Sequence, residues 1–64
     1  MNALAQNLKR LRILSGLSQV EISSKAGISR AAYTYLEAGK NLAKKSTLES
    51  LAQVFGVSSK SLLV

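Results

Sequence analysis

The chain has 64 residues, with nine Lys and Arg against three acidic residues and no His, Cys or Pro. That length predicts a single domain, residues 1–64, whose core is near the lower limit for independent folding, and the absence of cysteine excludes disulfide bonds. A formal charge of +6 favours an anionic partner, either nucleic acid or a membrane surface.

The first predicted element is a helix over roughly residues 2–15. Its candidate core face recurs at helical spacing and consists of Leu4, Leu8, Leu11 and Ser15. Gly16 is placed to end this helix in the left-handed conformation. Arg12 lies at the margin of the face and therefore needs a partner.

A capping-box pattern comes after the first helix. Ser18 and Glu21 have the required spacing, which predicts a short second helix that begins there and ends at Gly27. Ser29 can then cap a third helix, predicted over about residues 29–38. Two short helices joined through a glycine turn are typical of a helix-turn-helix unit.

The third helix has two different sides. At about 100° per residue, its apolar side carries Ala32, Tyr33 and Leu36. Its opposite side carries Arg30, Ala31, Thr34 and Tyr35. One tyrosine is therefore expected in the core and the other outside, and the outward set is the candidate working surface. The alternative is a solvated helix face with no partner.

The last part of the chain predicts two more helices. One places Leu48, Leu51, Ala52 and Phe55 on a single stripe before Gly56, and it starts either at a second capping box, residues 46–49, or already at Lys44 and Lys45. A short fifth helix comes next, capped by Ser58, with Leu62 and Leu63 packed inward. The expected fold is all-α, a compact bundle of five helices.

Several motifs together resemble the lambdoid phage repressor and Cro group, also called Xre-type helix-turn-helix domains. They are LKRLR at 8–12, GLSQVEI at 16–22, GIS at 27–29, LEAGK at 36–40, LESLA at 48–52 and FGV at 55–57. The resemblance implies a lambda repressor-like DNA-binding domain whose third helix enters the major groove of double-stranded DNA. It also implies a sequence-specific transcriptional regulator, most often a repressor, that grips a palindrome as a homodimer.

The resemblance also implies a set of site residues. Base contacts are expected from Arg30, Ala31, Thr34 and Tyr35. Contacts to the DNA backbone are expected from Gln19, Ser29, Lys40, Asn41, Lys44 and Lys45. A structural ion pair is expected between Arg12 and Glu37, which would tie the first helix to the end of the third.

Three positions depart from the family pattern. Tyr33 stands where an aliphatic residue is usual, so its ring can fill the core only if its hydroxyl finds a partner or the surface. Ser23 replaces a usual alanine, and Ala43 stands where many members have proline, which makes the loop at 41–45 harder to predict. Four apolar residues not obviously needed inside are candidates for pairing between copies: Leu42, Val54, Leu62 and Val64.

Other classes of function compete with this interpretation. An antitoxin or adaptor built on the same fold is the main alternative, and an acidic or polar outer face on the third helix would favour it. An enzyme is rejected, because without His, Cys or Asp the three glutamates cannot form an acid–base pair. We expect no metal, no small-molecule cofactor and no membrane association, and a cytoplasmic location.

Overall fold

The computed structural model describes residues 2–64, and Met1, with which the predicted domain begins, lies outside the described residues. The helices are α1 (Ala3–Ser15), α2 (Gln19–Ala26), α3 (Arg30–Glu37) and α4 (Lys45–Phe55), and a 3₁₀ turn (Ser59–Leu62) comes after them. Within residues 2–64 there is no strand, and none of the helices has the length and apolar character needed to cross a membrane.

Local signals place the boundaries of α2 and α3 as the sequence predicts. The Ser18 hydroxyl accepts from the Glu21 amide at 3.1 Å, and the Glu21 carboxylate accepts from the Ser18 amide at 3.0 Å. Gly27 ends α2 with φ of 72°, a left-handed conformation that side chains disfavour. Ser29 then caps α3 by accepting from the Ala32 amide. Local caps and a glycine turn therefore determine where both helices of the helix-turn-helix unit begin and where the first of them ends.

The sequence allowed two starts for α4, one at the capping box of residues 46–49 and one at Lys44 and Lys45, and the structure has the earlier one. Lys44 is the residue before the helix, Lys45 is its first residue, and no side chain caps this end. The Leu48 amide already donates to the Lys44 carbonyl at 2.9 Å. Because the helical ladder begins upstream of Ser46, the second capping box does not form.

The prediction of five helices is confirmed only in part. The fifth element is present and Ser58 caps it as expected, but it is a single 3₁₀ turn rather than an α-helix. The side-chain amide of Asn7 donates to the carbonyls of Leu62 at 2.9 Å and Val64 at 3.0 Å. These contacts attach the end of the turn to α1, whereas the turn itself is closed by bonds of 3₁₀ spacing, from the Ser61 amide to the Ser58 carbonyl and from the Leu63 amide to the Lys60 carbonyl, each at 3.0 Å.

The core sits behind α3 and takes a fully buried side chain from every element. These side chains are Leu8, Ile22, Tyr33, Leu51 and Leu62. Two expectations fail at its edge, because Ser15 and Leu63 are exposed. Leu62 is buried, as the prediction for the last element requires, and it is therefore not available for the pairing between copies that the sequence also allowed. Only the apolar side of α3 packs against the core, and its opposite side faces the solvent.

Candidate nucleic-acid interface

The outward side of α3 carries the residues that the sequence singled out. Arg30, Ala31 and Tyr35 are exposed, and Thr34 is half-buried. Together with Gln19 from the start of α2, these four side chains line one shallow depression in the surface. The fold therefore brings the expected base-contact residues together with one of the expected backbone-contact residues.

Tyr33 is turned the opposite way and is completely buried. Its hydroxyl has no hydrogen-bond partner among residues 2–64. From the sequence, the ring is expected to be buried only if the hydroxyl finds a partner or reaches the surface, and this expectation is wrong. Burial raises the pKa of this phenol well above its ordinary value, and the neighbouring Glu37 carboxylate raises it further. The free energy gained by burying the large apolar ring offsets the cost of leaving the hydroxyl without a hydrogen bond.

Arg12 and Glu37 join α1 to the end of α3. Arg12 Nε donates to Glu37 Oε2 at 2.8 Å, and Arg12 Nη2 donates to Glu37 Oε1 at 2.9 Å. The salt bridge is therefore bidentate. Burial is the largest single effect and raises the pKa of the Glu37 carboxyl. The hydrogen bonds from its neighbours, of which that from Arg12 is the strongest, and the positive charge of Arg12 together outweigh burial, so the pKa lies below its ordinary value. The pair fixes the position of α3 relative to α1.

Gln19 connects this ion pair to the outward side of α3. Its Nε2 atom donates to Glu37 Oε1 at 3.3 Å, and its Oε1 atom accepts from the Thr34 hydroxyl at 2.8 Å. Both contacts hold the amide at the edge of the depression. One hydrogen on Nε2 is left for a further acceptor.

The basic segment after α3 lies beside this helix. Lys40, Asn41, Lys44 and Lys45 are all exposed. The Lys40 amide donates to the Tyr35 carbonyl at 2.9 Å, which fixes the chain where it leaves α3. Asn41 and Lys44 line a groove that also includes Ala32. The segment thus carries exposed cations directly after α3, but its groove lies on the Ala32 side of the helix and shares no residue with the depression on the outward side.

Ser29 lies at the other end of α3. Its hydroxyl oxygen is occupied by the Ala32 amide, at 3.0 Å, but the residue is exposed and its hydroxyl hydrogen can still be donated. This geometry is compatible with a phosphate contact at the amino-terminal end of the helix.

Sequence reasoning missed Asn7. Besides its contacts with the last turn, its side-chain oxygen accepts from Arg10 Nη2 at 3.0 Å, and the residue is buried. A signal was present in the sequence, because Asn7 lies three residues after Leu4 and four before Leu11, on the core face of α1. A polar residue at such a position indicates a buried hydrogen-bonding role.

A glycine-linked pair of short helices, with the second presenting a cationic outward side, defines a helix-turn-helix domain. The helix-turn-helix family model matches residues 8–62, and the chain belongs to this family, of the Xre type. It is a DNA-binding protein of the transcription-regulator class, and family membership points away from an enzyme.

The fold is also similar to a crystal structure of a hypothetical transcription factor, NHTF, from Neisseria. The TM-score is 0.91 and the sequences are 29% identical, over 97% of this chain and 71% of that chain. No curated protein matches the chain.

Proposed function

We propose that this protein binds a short palindromic operator as a homodimer, with α3 in the major groove, and represses transcription from that site. The observation that carries the proposal is the shared depression formed by Arg30, Ala31, Thr34, Tyr35 and Gln19. The major groove is wide enough to admit an α-helix. The exposed side of α3 carries small side chains and hydrogen-bond donors, which suit contacts with base edges there.

Each side chain on the outward surface has a distinct proposed role. Arg30, in the first turn of α3, makes a bidentate contact with guanine, which contributes roughly 1–3 kcal/mol of discrimination. Ala31 and the methyl group of Thr34 meet thymine methyls. Tyr35 contacts a base edge or a phosphate. Because few groups on α3 can read bases, DNA shape supplies further specificity.

The remaining site residues contact the sugar–phosphate backbone and fix the register of α3. These residues are Gln19, Ser29, Lys40, Asn41, Lys44 and Lys45. Gln19 and Ser29 each keep a free hydrogen for a phosphate oxygen. The four residues after α3 are exposed, and the Lys40 amide bonds the start of their segment to the end of α3, so phosphates that flank a bound α3 are their proposed partners.

The size of the domain supports a dimer. The described residues extend over 23 × 23 × 21 Å, whereas successive half-sites on one side of DNA are about 34 Å apart. One copy therefore reads one half-site. Exposed apolar residues suited to pairing are Leu42, at 90% exposure, and Val64, at 83%. Leu42 shares an apolar groove with Leu63 and Leu48, and burial of this surface between copies would stabilise the dimer.

Repression is the simplest consequence of such binding, because a protein seated on a promoter excludes the polymerase from it. The proposal needs no small-molecule cofactor in this domain. It does need the cytoplasmic location predicted from the sequence, since an exported chain would not meet its operator.

The antitoxin or adaptor alternative receives less support. The only acidic residue of α3 is Glu37, which is buried against Arg12. The outer surface of α3 instead carries Arg30. Retention on heparin or on random DNA at low salt, with release as the salt is raised, supports DNA binding; failure to bind either favours the adaptor.

Selection of bound sequences from a random duplex library tests the operator proposal. We expect a palindromic consensus for the wild type, and for Arg30→Ala a relaxed preference at one symmetric pair of positions. Lys9→Ala is the matched control, because it removes an exposed charge from α1 and should leave the consensus unchanged. An absence of enrichment with the wild type contradicts the proposal.

Sedimentation of the protein with and without operator tests the dimer. Leu42→Ser and Val64→Ser should weaken self-association and the cooperativity of operator binding. Leu14→Ser is the control, because Leu14 is also strongly exposed but lies on α1. Equal effects of all three substitutions would count against the pairing surface.

A further inference from the structure

A series of hydrogen bonds runs from the buried ion pair to the outward surface of α3. Arg12 donates to Glu37 through two nitrogens. Glu37 Oε1 also accepts from Gln19 Nε2 at 3.3 Å, and Gln19 Oε1 lies 2.8 Å from Thr34 Oγ1. The series crosses from α1 through α3 and α2 and ends at a side chain that lines the DNA-facing depression.

The direction of each hydrogen bond in this series is fixed by chemistry. The oxygen and nitrogen of a glutamine amide are assigned from their partners, and an ionised carboxylate can only accept. Glu37 is kept ionised by Arg12, so the amino group of Gln19 must face it. The amide oxygen of Gln19 then faces Thr34, and the Thr34 hydroxyl must donate its single hydrogen to it.

We infer that Thr34 approaches the DNA as a hydrogen-bond acceptor only, and that it recognises an exocyclic amino group, adenine N6 or cytosine N4, in the major groove. This inference rests on the proposed function. A threonine hydroxyl is ordinarily both donor and acceptor and can contact any base. Here the hydroxyl hydrogen is already donated to Gln19 Oε1, so Thr34 can only accept a hydrogen bond from a base.

Guanine O6, guanine N7 and thymine O4 are acceptors, so each would face the Thr34 oxygen without a hydrogen between them. Turning the Thr34 hydrogen towards the DNA leaves Gln19 Oε1 unpaired. Flipping the Gln19 amide instead places its oxygen against the Glu37 carboxylate. Gln19 and Glu37 therefore act as positioning residues that set the base preference of Thr34.

The test begins with the operator selected by the wild type. The base pair read by Thr34 is the one whose preference relaxes in Thr34→Val, a substitution that removes the hydroxyl and keeps the shape. At that pair, adenine is replaced by purine, or cytosine by pyrimidin-2-one, which deletes the amino group alone. The same replacement in a flanking base pair is the control for altered duplex stability.

We expect deletion of the amino group to weaken wild-type binding about tenfold, and to leave binding by Thr34→Val unchanged. Glu37→Gln frees the Gln19 amide to flip, so the amino-group dependence should shrink, an effect that a merely structural role would not produce. If Glu37→Gln does not fold, the Thr34→Val comparison decides alone.

Two outcomes would overturn the inference while the proposed function stands. One is a selected operator in which no position responds to Thr34→Val. The other is a responsive position at which deletion of the amino group has no effect on wild-type binding. Failure of the wild type to select any sequence overturns the proposed function itself.

Discussion

Tyr33 is fully buried, while Tyr35, two residues further along the same helix, exposes 47% of its surface. About 200° of helical rotation separates them, so one ring anchors α3 to the core and the other lies on the outward surface. The same residue type thus occupies two different environments, which are set by its position along the helix.

This relationship predicts opposite effects for two similar substitutions. Tyr33→Phe removes a buried hydroxyl that has no hydrogen-bond partner among residues 2–64. An unpaired buried polar group costs about 1–3 kcal/mol, so the free energy of unfolding should stay constant or rise. Urea denaturation measures it. Tyr35→Phe should leave the stability unchanged and, if α3 binds DNA as proposed, weaken operator binding.

A loss of more than about 1 kcal/mol in Tyr33→Phe would contradict this prediction. It would mean that the hydroxyl forms a hydrogen bond in solution, and the adjacent carboxylate of Glu37 would be its acceptor.

Acid should destabilise the protein through Glu37. Its pKa in the folded state lies below its ordinary value of 4.5, so its stabilising contribution is complete above that pH. The contribution is lost as the pH falls through the folded-state pKa. Thermal unfolding from neutral pH to below 4.5 should show a falling midpoint. In Glu37→Gln this fall should be smaller, and the variant should be less stable than the wild type at neutral pH. Parallel acid profiles for the two proteins would refute the assignment.

Asn7 should control the last turn of the chain. Asn7→Ala leaves the carbonyls of Leu62 and Val64 without the donor that they now share, at a cost of about 1–3 kcal/mol. Hydrogen exchange of the Ser61 and Leu63 amides should accelerate more than exchange within α2. Gln6→Ala, at an exposed neighbouring position, is the control and should have neither effect.

Lys40 should contribute to the salt dependence of DNA binding, if it meets a phosphate as proposed. Lys40→Ala should make the plot of log affinity against log salt shallower by about 1 for each bound copy. The same loss of affinity should occur for all sequences, since phosphates carry no sequence information. Lys60→Ala, in the 3₁₀ turn outside the helix-turn-helix unit, should keep the wild-type slope.

Local patterns in the sequence determined most of the helix boundaries and the two sides of α3. The capping box at Ser18, the left-handed glycines and the spacing of Arg30 and Thr34 act over a few residues. Their structural consequences could therefore be predicted without tertiary contacts. The family could also be identified at this level, because its motifs lie within those same short segments.

Tertiary structure alone decided what depends on residues far apart in the chain. The sequence could not say that Asn7 would hold residues 62 and 64, or that the last element would be a 3₁₀ turn. Nor could it say that Gln19 would lie between Glu37 and Thr34 and fix the direction of the Thr34 hydrogen bond. Local periodicity determines which side of a helix is apolar, whereas the partner of a polar group depends on how the helices pack.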